Sequence, residues 1–528
     1  TYDFEQYNPH HNLDLFNHII NVVSKVPADL ELRYSALLHD IAKPVVQTFD
    51  EKGIAHYKTH EIVGADMARS ILTGLKLPVK LIDTVAEIIK KHMILYRDVT
   101  DKKFNKLLSE MGYDNLLRLI EHCNADNSSK NNEVVNPEND LHERLKRAVE
   151  KQMQVTVNDI LNATKGRLLN GSADTIINGF FTNSREIGSL PFKNALFVPI
   201  IGERVDAHTF IPQVVKAGAK AFFIKKEHEL PPDIGDTAAI EVEDTETALL
   251  DMGLWYREKF NIPFIGITGS VGKTTTKEMV AAALSSINVH KTKGNANSTI
   301  GLPLTLFGLE DENEAAIIEM GISEFHEMEK LVEAGRPTHA IFTNVGTAHI
   351  GNLGYKENIL KEKLHITDCF TADSVLFINA DDELLRKVTE ENSEFRPKNV
   401  KHIVTFGISE KADFYASSIT ISDSGTDFVA NYKSENGEAV SEQIHLKTLG
   451  LHNVRNALAA IAVALKLGIS PAVSKKGLAE YKPLPGRGNI IKSNGLTIID
   501  DTYNASPDSM KASVQIIGEM RGGTEPIN

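Results

Sequence analysis

The octapeptide Thr268-Gly269-Ser270-Val271-Gly272-Lys273-Thr274-Thr275 follows the apolar run Ile262-Pro263-Phe264-Ile265-Gly266-Ile267 and opens a helical pattern from Thr274 to Ile287. A buried strand that turns through glycines into a helix leaves few folds open, because the strand must lie inside a sheet and the helix must pack back across it. Glycines let backbone N–H groups close around a phosphate, and the helix N-terminus adds positive potential. Lys273 then meets the terminal phosphates, and the Thr274 hydroxyl reaches Mg2+. A structural turn has no need of that lysine. The spacing departs from the strict G-x-x-x-x-G-K-[ST] form at Ile267, which stands in the place of the first glycine. The segment reads as a nucleotide-binding loop.

Further apolar runs at Ala315 to Glu319, His339 to Thr343, Ser374 to Ile378, His402 to Phe406 and Leu496 to Ile499 read as buried strands. Alternating with helical patterns, they predict a doubly wound, mostly parallel sheet. Glu319 and His349 fall just beyond the carboxyl ends of two of these strands, where ligands of open α/β sheets gather. A carboxylate and an imidazole beside a triphosphate suit a second divalent ion. A smaller α/β stretch starts near Val155, with strands at Ala195 to Pro199 and Ala221 to Ile224. Residues 1 to about 152 are helical instead: Leu30, Tyr34, Leu37, Leu38, Ile41 and then Leu81, Ile82, Val85, Ile88, Ile89 recur at three- and four-residue steps. The polar stretch Asn124 to Asn132 reads as a loop before a last charged helix from Leu141 to Met153. At about 150 residues per domain, 528 residues predict several domains, divided as 1–152, 153–255 and 256–528.

Composition narrows the function classes. Lysine plus arginine number 57 against 71 aspartate plus glutamate, a net charge of -14, which argues against a broad phosphate-backbone footprint and a stable nucleic-acid partner. No apolar run approaches the roughly 20 residues of a bilayer-spanning helix. Cys123 and Cys369 are far apart and outside any C-x-x-C pair, so a reducing, cytoplasmic setting is expected. The chain opens at Thr1 without an initiator methionine and reads as a possible fragment.

Six segments in order carry a family resemblance: Thr268 to Thr275, Glu319-Met320-Gly321, Thr343 to His349, Gly450 to Ala457, Pro485-Gly486-Arg487 and Asp500 to Ala505. Together they resemble the Mur ligases, and among them those that join D-alanyl-D-alanine to a UDP-N-acetylmuramoyl tripeptide. The resemblance covers about Met153 to Met520 and implies an ATP- and Mg2+-dependent amide ligation in peptidoglycan precursor synthesis. It implies that Gly269, Ser270, Gly272, Lys273, Thr274 and Thr275 hold phosphate, with Thr274, Glu319 and His349 serving Mg2+. Arg487 and Asp501 would approach the nucleotide, and Asn453 and Asn456 would lie near the adenine. Lys363 matches a lysine that is carbamylated in these ligases. A bare ammonium would repel Mg2+, whereas a carbamate supplies hard oxygen ligands. His365 stands where a glutamate is commoner. Lys273, Lys363, His349 and Arg487 are the implied catalytic set.

Thr182-Asn183-Ser184-Arg185 and Gly202 to Phe210 resemble the family's UDP-binding domain, with Ser184 and Arg185 as substrate contacts; Asn183 replaces an aspartate and Ala207 a glycine. The family continues into a third α/β domain, which is expected to be essentially missing here.

Nine of the 19 histidines lie in the first 152 residues. Leu37-Leu38-His39-Asp40-Ile41-Ala42-Lys43-Pro44, with His18 before it and His60, His92 and Asp126 after, can surround one or two divalent metals inside a bundle and acidify a bound water. With Asn8-Pro9-His10-His11, His56 to Ala65 and Lys91-His92-Met93, this order resembles the HD-superfamily phosphohydrolases. Closest is the domain at the C-terminal end of bacterial CCA-adding tRNA nucleotidyltransferases, the one weak analogy to a tRNA partner. The resemblance implies His18, His39, Asp40 and Asp126 as ligands of a divalent metal, with His60 and His92 as further ligands or phosphate contacts. Met153 sits where a free ligase would begin, so a joining of two proteins' parts is expected. Two alternatives stay open: phosphoester hydrolysis by residues 1–152 as the only live activity, and nucleotide binding without catalysis.

Overall fold

A computed structural model of the chain describes residues 4–7, 13–96, 99–130, 140–150, 153–189, 194–422, 424–434, 436–493, 496–503, 510–511 and 513–514. The motif residues Asn8 to His11, Asn504 and Ala505, and the stretch from 515 to Asn528 lie outside the described residues.

The N-terminal part is a helical bundle with helices α1 (Leu15–Lys25), α2 (Leu30–Leu38), α3 (His60–Gly74), α4 (Val79–Lys91), α5 (Asp101–Met111), α6 (Tyr113–Asn127) and α7 (Asp140–Glu150). Asp14 and Asp29 start α1 and α2 by accepting hydrogen bonds from the amides of Asn17 and Leu32, donors that a helix end leaves without a partner. The stripe on α4 is buried as expected at Leu81, Ile82, Val85, Ile88 and Ile89. One expectation needs correction: Asn124 to Asn127 form the last turn of α6, not a loop. Leu116, Leu119, Ile120 and Cys123 bury one face of α6. That face continues through Asp126, itself 2% exposed, so tertiary burial outweighs the low helix propensity of Asn and Asp. The last charged helix is described over Asp140–Glu150, and residues 151–152 beyond it lie outside the described residues.

Helix α8 (Val157–Thr164) opens with a capping box in which Thr156 and Asp159 satisfy each other's amides. Five strands follow: β1 (Arg167–Asn170), β2 (Gly179–Phe181), β3 (Ala195–Phe197), β4 (Ala221–Lys225) and β5 (Ala238–Val242). Their order is β1-β5-β4-β3-β2, antiparallel only at the β1/β5 pair. Helix α9 (Thr245–Arg257) leads into the larger sheet.

That sheet has nine strands: β6 (Phe264–Thr268), β7 (Val289–Lys291), β8 (Ala315–Glu319), β9 (His339–Phe342), β10 (Val375–Asn379), β11 (His402–Gly407), β12 (Phe414–Ser422), β13 (Gly425–Lys433) and β14 (Ala439–Leu446), in the order β7-β8-β6-β9-β10-β11-β12-β13-β14. All neighbours are parallel up to β12, and the β12/β13 and β13/β14 pairs are antiparallel. Strands β6, β8 and β10 are buried at every residue, as a parallel strand covered on both faces requires. Strand β13 alternates, as an antiparallel strand with one wet face does. Helices α10 (Lys273–Ala283), α11 (Glu327–Gly335), α12 (Lys356–Leu364) and α13 (Leu451–Lys466) pack around the sheet, α10 ending four residues before the expected Ile287. The run Leu496 to Ile499 is a second correction. It belongs to a two-stranded antiparallel ribbon of β15 (Asn489–Ser493) and β16 (Leu496–Asp500), not to the main sheet. Ile491 and Ile498 are each 46% exposed, because a ribbon on its own covers only one of its faces.

Candidate functional site

Strands β8, β6 and β9 are neighbours, and their carboxyl ends deliver Glu319, the phosphate loop and Thr343-Asn344 to one edge of the sheet. Gly269 has φ +142° and Gly272 φ +87°, conformations that side-chain-bearing residues rarely adopt. A Cβ at Gly269 would stand 2.0 Å from Thr343 Oγ1. The loop is held from the next strand. Thr343 Oγ1 and Asn344 Nδ2 donate to Val271 O at 2.7 and 2.8 Å, Val271 N donates to Asn344 Oδ1 at 3.0 Å, and Gly346 N donates to Ser270 Oγ at 2.8 Å. Gly272 gives α10 no side-chain cap, so the first amides of the helix, with half-buried Thr275 among them, are left to bind an anion.

Lys273 Nζ donates to Gly269 O at 2.9 Å, and burial, with Arg487 nearby, lowers its pKa. Thr274 Oγ1 donates to Glu319 Oε2 at 3.0 Å, and Arg487 Nη2 lies 3.4 Å from the same hydroxyl while its guanidinium rests on the Tyr503 ring. Glu319 is 2% exposed. Asn297 Nδ2 donates to its Oε1 at 2.9 Å, and Lys277 Nζ lies 3.7 Å from Oε2. A hydroxyl and a carboxylate oxygen 3.0 Å apart beside a phosphate loop are hard oxygen donors of the kind Mg2+ takes.

Lys363, on α12, is 2% exposed. Burial first, and then the positive charge of Lys273, hold its pKa well below the ordinary lysine value. His349, with φ +63°, caps the short helix Ile350–Leu353; burial, Lys363 and Lys273 lower its pKa. Lys273, His349 and Lys363 thus feel one another's charge. His365, where a glutamate is commoner, pairs with Asp368 at 2.7 Å on the surface. Asn456 Oδ1 accepts from Thr276 Oγ1 at 3.0 Å and Asn453 Nδ2 donates to Leu449 O at 2.8 Å, both on the first turns of α13. Asp501 accepts a hydrogen bond from Ser513 and lies close enough to His452 to act on its charge.

Ser184 and Arg185 open a 3-10 turn, Ser184–Ser189, in the smaller α/β unit. Asn183 accepts from Arg185 N at 3.2 Å and donates to Glu186 Oε1 at 3.0 Å, the second a contact that an ionised aspartate could not make. No hydrogen bond joins this turn to the phosphate-loop cluster among the described residues. Asp206, His208 and His228 form a cluster of their own. His208 Nδ1 lies 2.6 Å from Asp206, and Lys225 N donates to its Nε2 at 3.2 Å. Both ring nitrogens are therefore engaged, and the ring acts as a strut, not a metal ligand.

The helical bundle gathers a second centre from α1, the end of α2, the start of α3, the end of α4, and α6. His18 Nε2 lies 3.0 Å from Asp126 Oδ1 and 3.6 Å from Asp40 Oδ2; His39 Nε2 lies 3.2 Å from Asp40 Oδ2; His60 Nε2 lies 3.4 Å from Asp40 Oδ1. Three of the imidazoles share one device. Nδ1 of His39, His60 and His92 contacts the carbonyl three residues earlier, of Ala36, Tyr57 and Ile89, at 2.9, 2.7 and 2.6 Å. A carbonyl only accepts, so each Nδ1 carries a hydrogen, and in the neutral ring, the form that binds a metal, each Nε2 turns a lone pair inward. His60 and His92 Nε2 face each other at 3.3 Å, and buried His39 Nε2 has no hydrogen-bond partner. Lone pairs that converge on two carboxylates fit a divalent cation. Burial pushes His92 down to about 3, which keeps it neutral. Burial opposes ionisation of Asp40, but His39 and Lys43 hold its pKa well below the usual carboxylate range.

The sequence reading missed several residues here. His122, 0% exposed, packs edge-on against His39 and His92; its place four residues before Asp126, on the same helix face, was the available signal. Lys277 stands one turn after Lys273 in the same way. Asn297 comes from a loop and had no periodic signal at all.

The sequence profile of the Mur ligase middle domain matches residues 267–464, and that of the HD domain matches residues 16–130. The UDP-N-acetylmuramoyl-tripeptide–D-alanyl-D-alanine ligase of Bacillus subtilis (strain 168) is 36% identical over 370 residues, 70% of this chain and 76% of the relative. The Escherichia coli (strain K12) ligase of the same name is 32% identical over 376 residues, 70% and 78% of the two chains. Among solved structures, MurF from Acinetobacter baumannii superposes with a TM-score of 0.62 at 32% identity, covering 70% of this chain and 78% of the other. The MurF ligase from Thermotoga maritima, solved in complex with ADP, gives 0.56 at 28% identity, covering 65% and 74%. With three quarters of such relatives covered at this identity, and the phosphate loop, Glu319 and Lys363 converging as described, the chain belongs to the Mur ligase family, in the branch of the UDP-N-acetylmuramoyl-tripeptide–D-alanyl-D-alanine ligases.

Proposed function

We propose that residues 153–255 and 256–528 carry out the ATP-dependent ligation of D-alanyl-D-alanine to a UDP-N-acetylmuramoyl tripeptide, a cytoplasmic step of peptidoglycan precursor synthesis. The observation that carries this reading is the convergence of Lys273, Thr274, Glu319 and Arg487 on one phosphate loop, with buried Lys363 and the more exposed His349 close enough to feel the charge of Lys273.

In this reading the loop amides and Lys273 hold the terminal phosphates of ATP, and Arg487 and Asp501 approach the nucleotide from the β15/β16 ribbon, with Asn453 and Asn456 on the adenine side. Ser184 and Arg185 hold the UDP end of the substrate. Mg2+, held by Thr274, Glu319, His349 and Lys363 as its carbamate, supplies charge neutralisation on the transferring phosphoryl group. Depression of the Lys363 pKa favours the neutral amine, the form that can take up CO2. The substrate carboxylate attacks the γ-phosphorus as ADP leaves. The dipeptide amine then attacks the acyl carbonyl as phosphate leaves, the amine proton passing to solvent. Lys273 and Arg487 place cations where charge develops in both steps.

The test measures phosphate release and product mass with ATP, Mg2+, bicarbonate and the UDP-linked tripeptide, with and without D-alanyl-D-alanine. Dipeptide-dependent phosphate with a pentapeptide product is expected. ATP binding with no dipeptide-dependent turnover would sink the reading.

A second activity is favoured by a separate observation, the inward-facing Nε2 lone pairs of His39, His60 and His92. We infer that residues 1–152 bind a divalent cation through His18, His39, Asp40 and Asp126, with His60 and His92 completing the shell, and hydrolyse a phosphoester. Loss of hydrolysis of a generic phosphoester in His39→Ala, with retention in Lys273→Ala, is the expected result.

A further inference from the structure

One fully buried ammonium group has no part in the ligation scheme. Lys277 stands on α10 one turn after Lys273 and is 0% exposed. An ammonium taken wholly out of water is costly unless other acceptors replace the water, so its partners dictate where it sits. Lys277 Nζ donates to Thr292 O at 2.7 Å and to Gly294 O at 3.2 Å. The carboxylates of Glu278 and Glu319 stand further off, at 3.6 and 3.7 Å, beyond hydrogen-bonding range. The closest ties of this cation therefore run to the backbone of the loop 292–297, which follows β7, and not to an ion-pair partner.

That loop grips Glu319 at two points. Glu319 N donates to Thr292 Oγ1 at 3.0 Å, and Asn297 Nδ2 donates to Glu319 Oε1 at 2.9 Å. Gly321 N donates to Asn297 O at 2.9 Å, and a Cβ on Gly321 would come within 2.9 Å of the Asn297 side chain, so the far end of the loop is seated closely on the segment that follows β8. Thr274 Oγ1 takes the other carboxylate oxygen, donating to Oε2 at 3.0 Å. Lys277 holds the near end of the loop, at Thr292 and Gly294. A glutamate side chain turns about several bonds, and the hydrogen bonds around a ligating carboxylate fix the orientation in which it meets a metal.

We propose that Lys277 is a positioning residue for the metal site of the phosphate loop: its ammonium pins Thr292 and Gly294, and the pinned loop holds Glu319, through Thr292 and Asn297, in the orientation that takes Mg2+. The proposal rests on the reading of Thr274 and Glu319 as Mg2+ ligands. Charge and position predict opposite results when this ammonium is removed. By Coulomb's law alone, loss of a cation 3.7 Å from Glu319 draws a divalent ion in more strongly. Loss of the brace frees the carboxylate and loosens the ion.

The test titrates Mn2+ into the full chain carrying the non-hydrolysable ATP analogue AMP-PNP, with the bundle centre silenced by His39→Ala and Asp40→Asn, and reads the bound ion by electron paramagnetic resonance. Lys277→Met removes the charge and keeps an unbranched side chain. It is expected to weaken Mn2+ about tenfold or more, while the affinity for AMP-PNP in EDTA, read by calorimetry, stays at the parent value because Thr343 and Asn344 still hold the phosphate loop. Asn297→Ala should weaken Mn2+ as well. The two effects share one route, so the double variant should bind no more weakly than Lys277→Met alone. Unchanged or tighter Mn2+ binding in Lys277→Met, or a double variant whose loss is the product of the two single losses, overturns the proposal. Should Lys277→Met fail to fold, Asn297→Ala decides by itself: it alters a half-buried loop side chain, and parent Mn2+ affinity in that variant overturns the proposal. Glu319→Gln separates the positioning role from the metal site. Weakened Mn2+ there, with Lys277→Met unaffected, strikes the positioning role alone, whereas parent affinity in Glu319→Gln removes the metal site and the proposal together.

Discussion

Gly269 shows how much one residue can decide. Its φ of +142° and the 2.0 Å approach of Thr343 Oγ1 to any Cβ leave no room for a side chain. Gly269→Ala should force the loop off Thr343 at about 1–3 kcal/mol of strain and raise the Kd for ATP, with the circular dichroism of the fold retained; unchanged ATP affinity would contradict the assignment of the loop. Two histidines, one in β7 and one at the start of α13, set an acid limit. Burial lowers both His290 and His452 to about 4, whereas unfolded imidazoles titrate near 6.5. Between those values the unfolded chain binds more protons, so stability falls as pH drops from about 6.5 to 4, by up to roughly 3 kcal/mol for each group. Denaturant midpoints at pH 7 and 4.5 should differ less in His290→Gln than in the parent.

Among the elements, α8 depends on its first residue. Thr156 Oγ1 accepts from Asp159 N at 3.1 Å, and Thr156 N donates to the Asp159 carboxylate at 2.8 Å. Thr156→Ala is expected to cost about 1 kcal/mol, seen as a lower denaturant midpoint, whereas Thr156→Ser should be near neutral. The end of α6 carries a different lesson. Its polar run from Asn124 looks like a loop in the sequence, and what makes it helical is the burial of Ile120, Cys123 and Asp126 against other helices. Local propensity is a weak guide where a polar face is turned inward, because packing energy from distant residues enters the balance. Leu496 to Ile499 fails in the opposite sense: the apolar run predicts a buried strand, yet among the described residues it pairs only within a two-stranded ribbon.

For the whole molecule, the two centres are built from different residues and different elements, so they should respond independently. His39→Ala should abolish Mn2+ binding in the bundle and leave the Kd for ATP unchanged, and Lys273→Ala should do the reverse; loss of both functions in either variant would show that the centres are coupled. Chelation should likewise lower the melting temperature of the parent and not that of a His39→Ala, Asp40→Asn chain, because a ligand that binds only the folded state stabilises it by mass action.

The sequence by itself determined the alternation of strands and helices, the phosphate loop with Lys273 and Thr274, and the helical stripes of the bundle. Each is written in a period of two or near three and a half, or in a run of adjacent residues. Its physics is local, since a glycine's φ or a helix N-terminus needs no distant partner. Only the tertiary structure decided that Asn297 holds Glu319, that Thr343 and Asn344 brace the loop from the next strand, that Asp126 lies on a helix, and that Lys130 flanks a cavity with Lys43. These contacts join residues that no sequence period relates, and they form because adjacent parallel strands and converging helices bring those residues into hydrogen-bonding range, where an unpaired buried charge or donor is too costly to leave unmet.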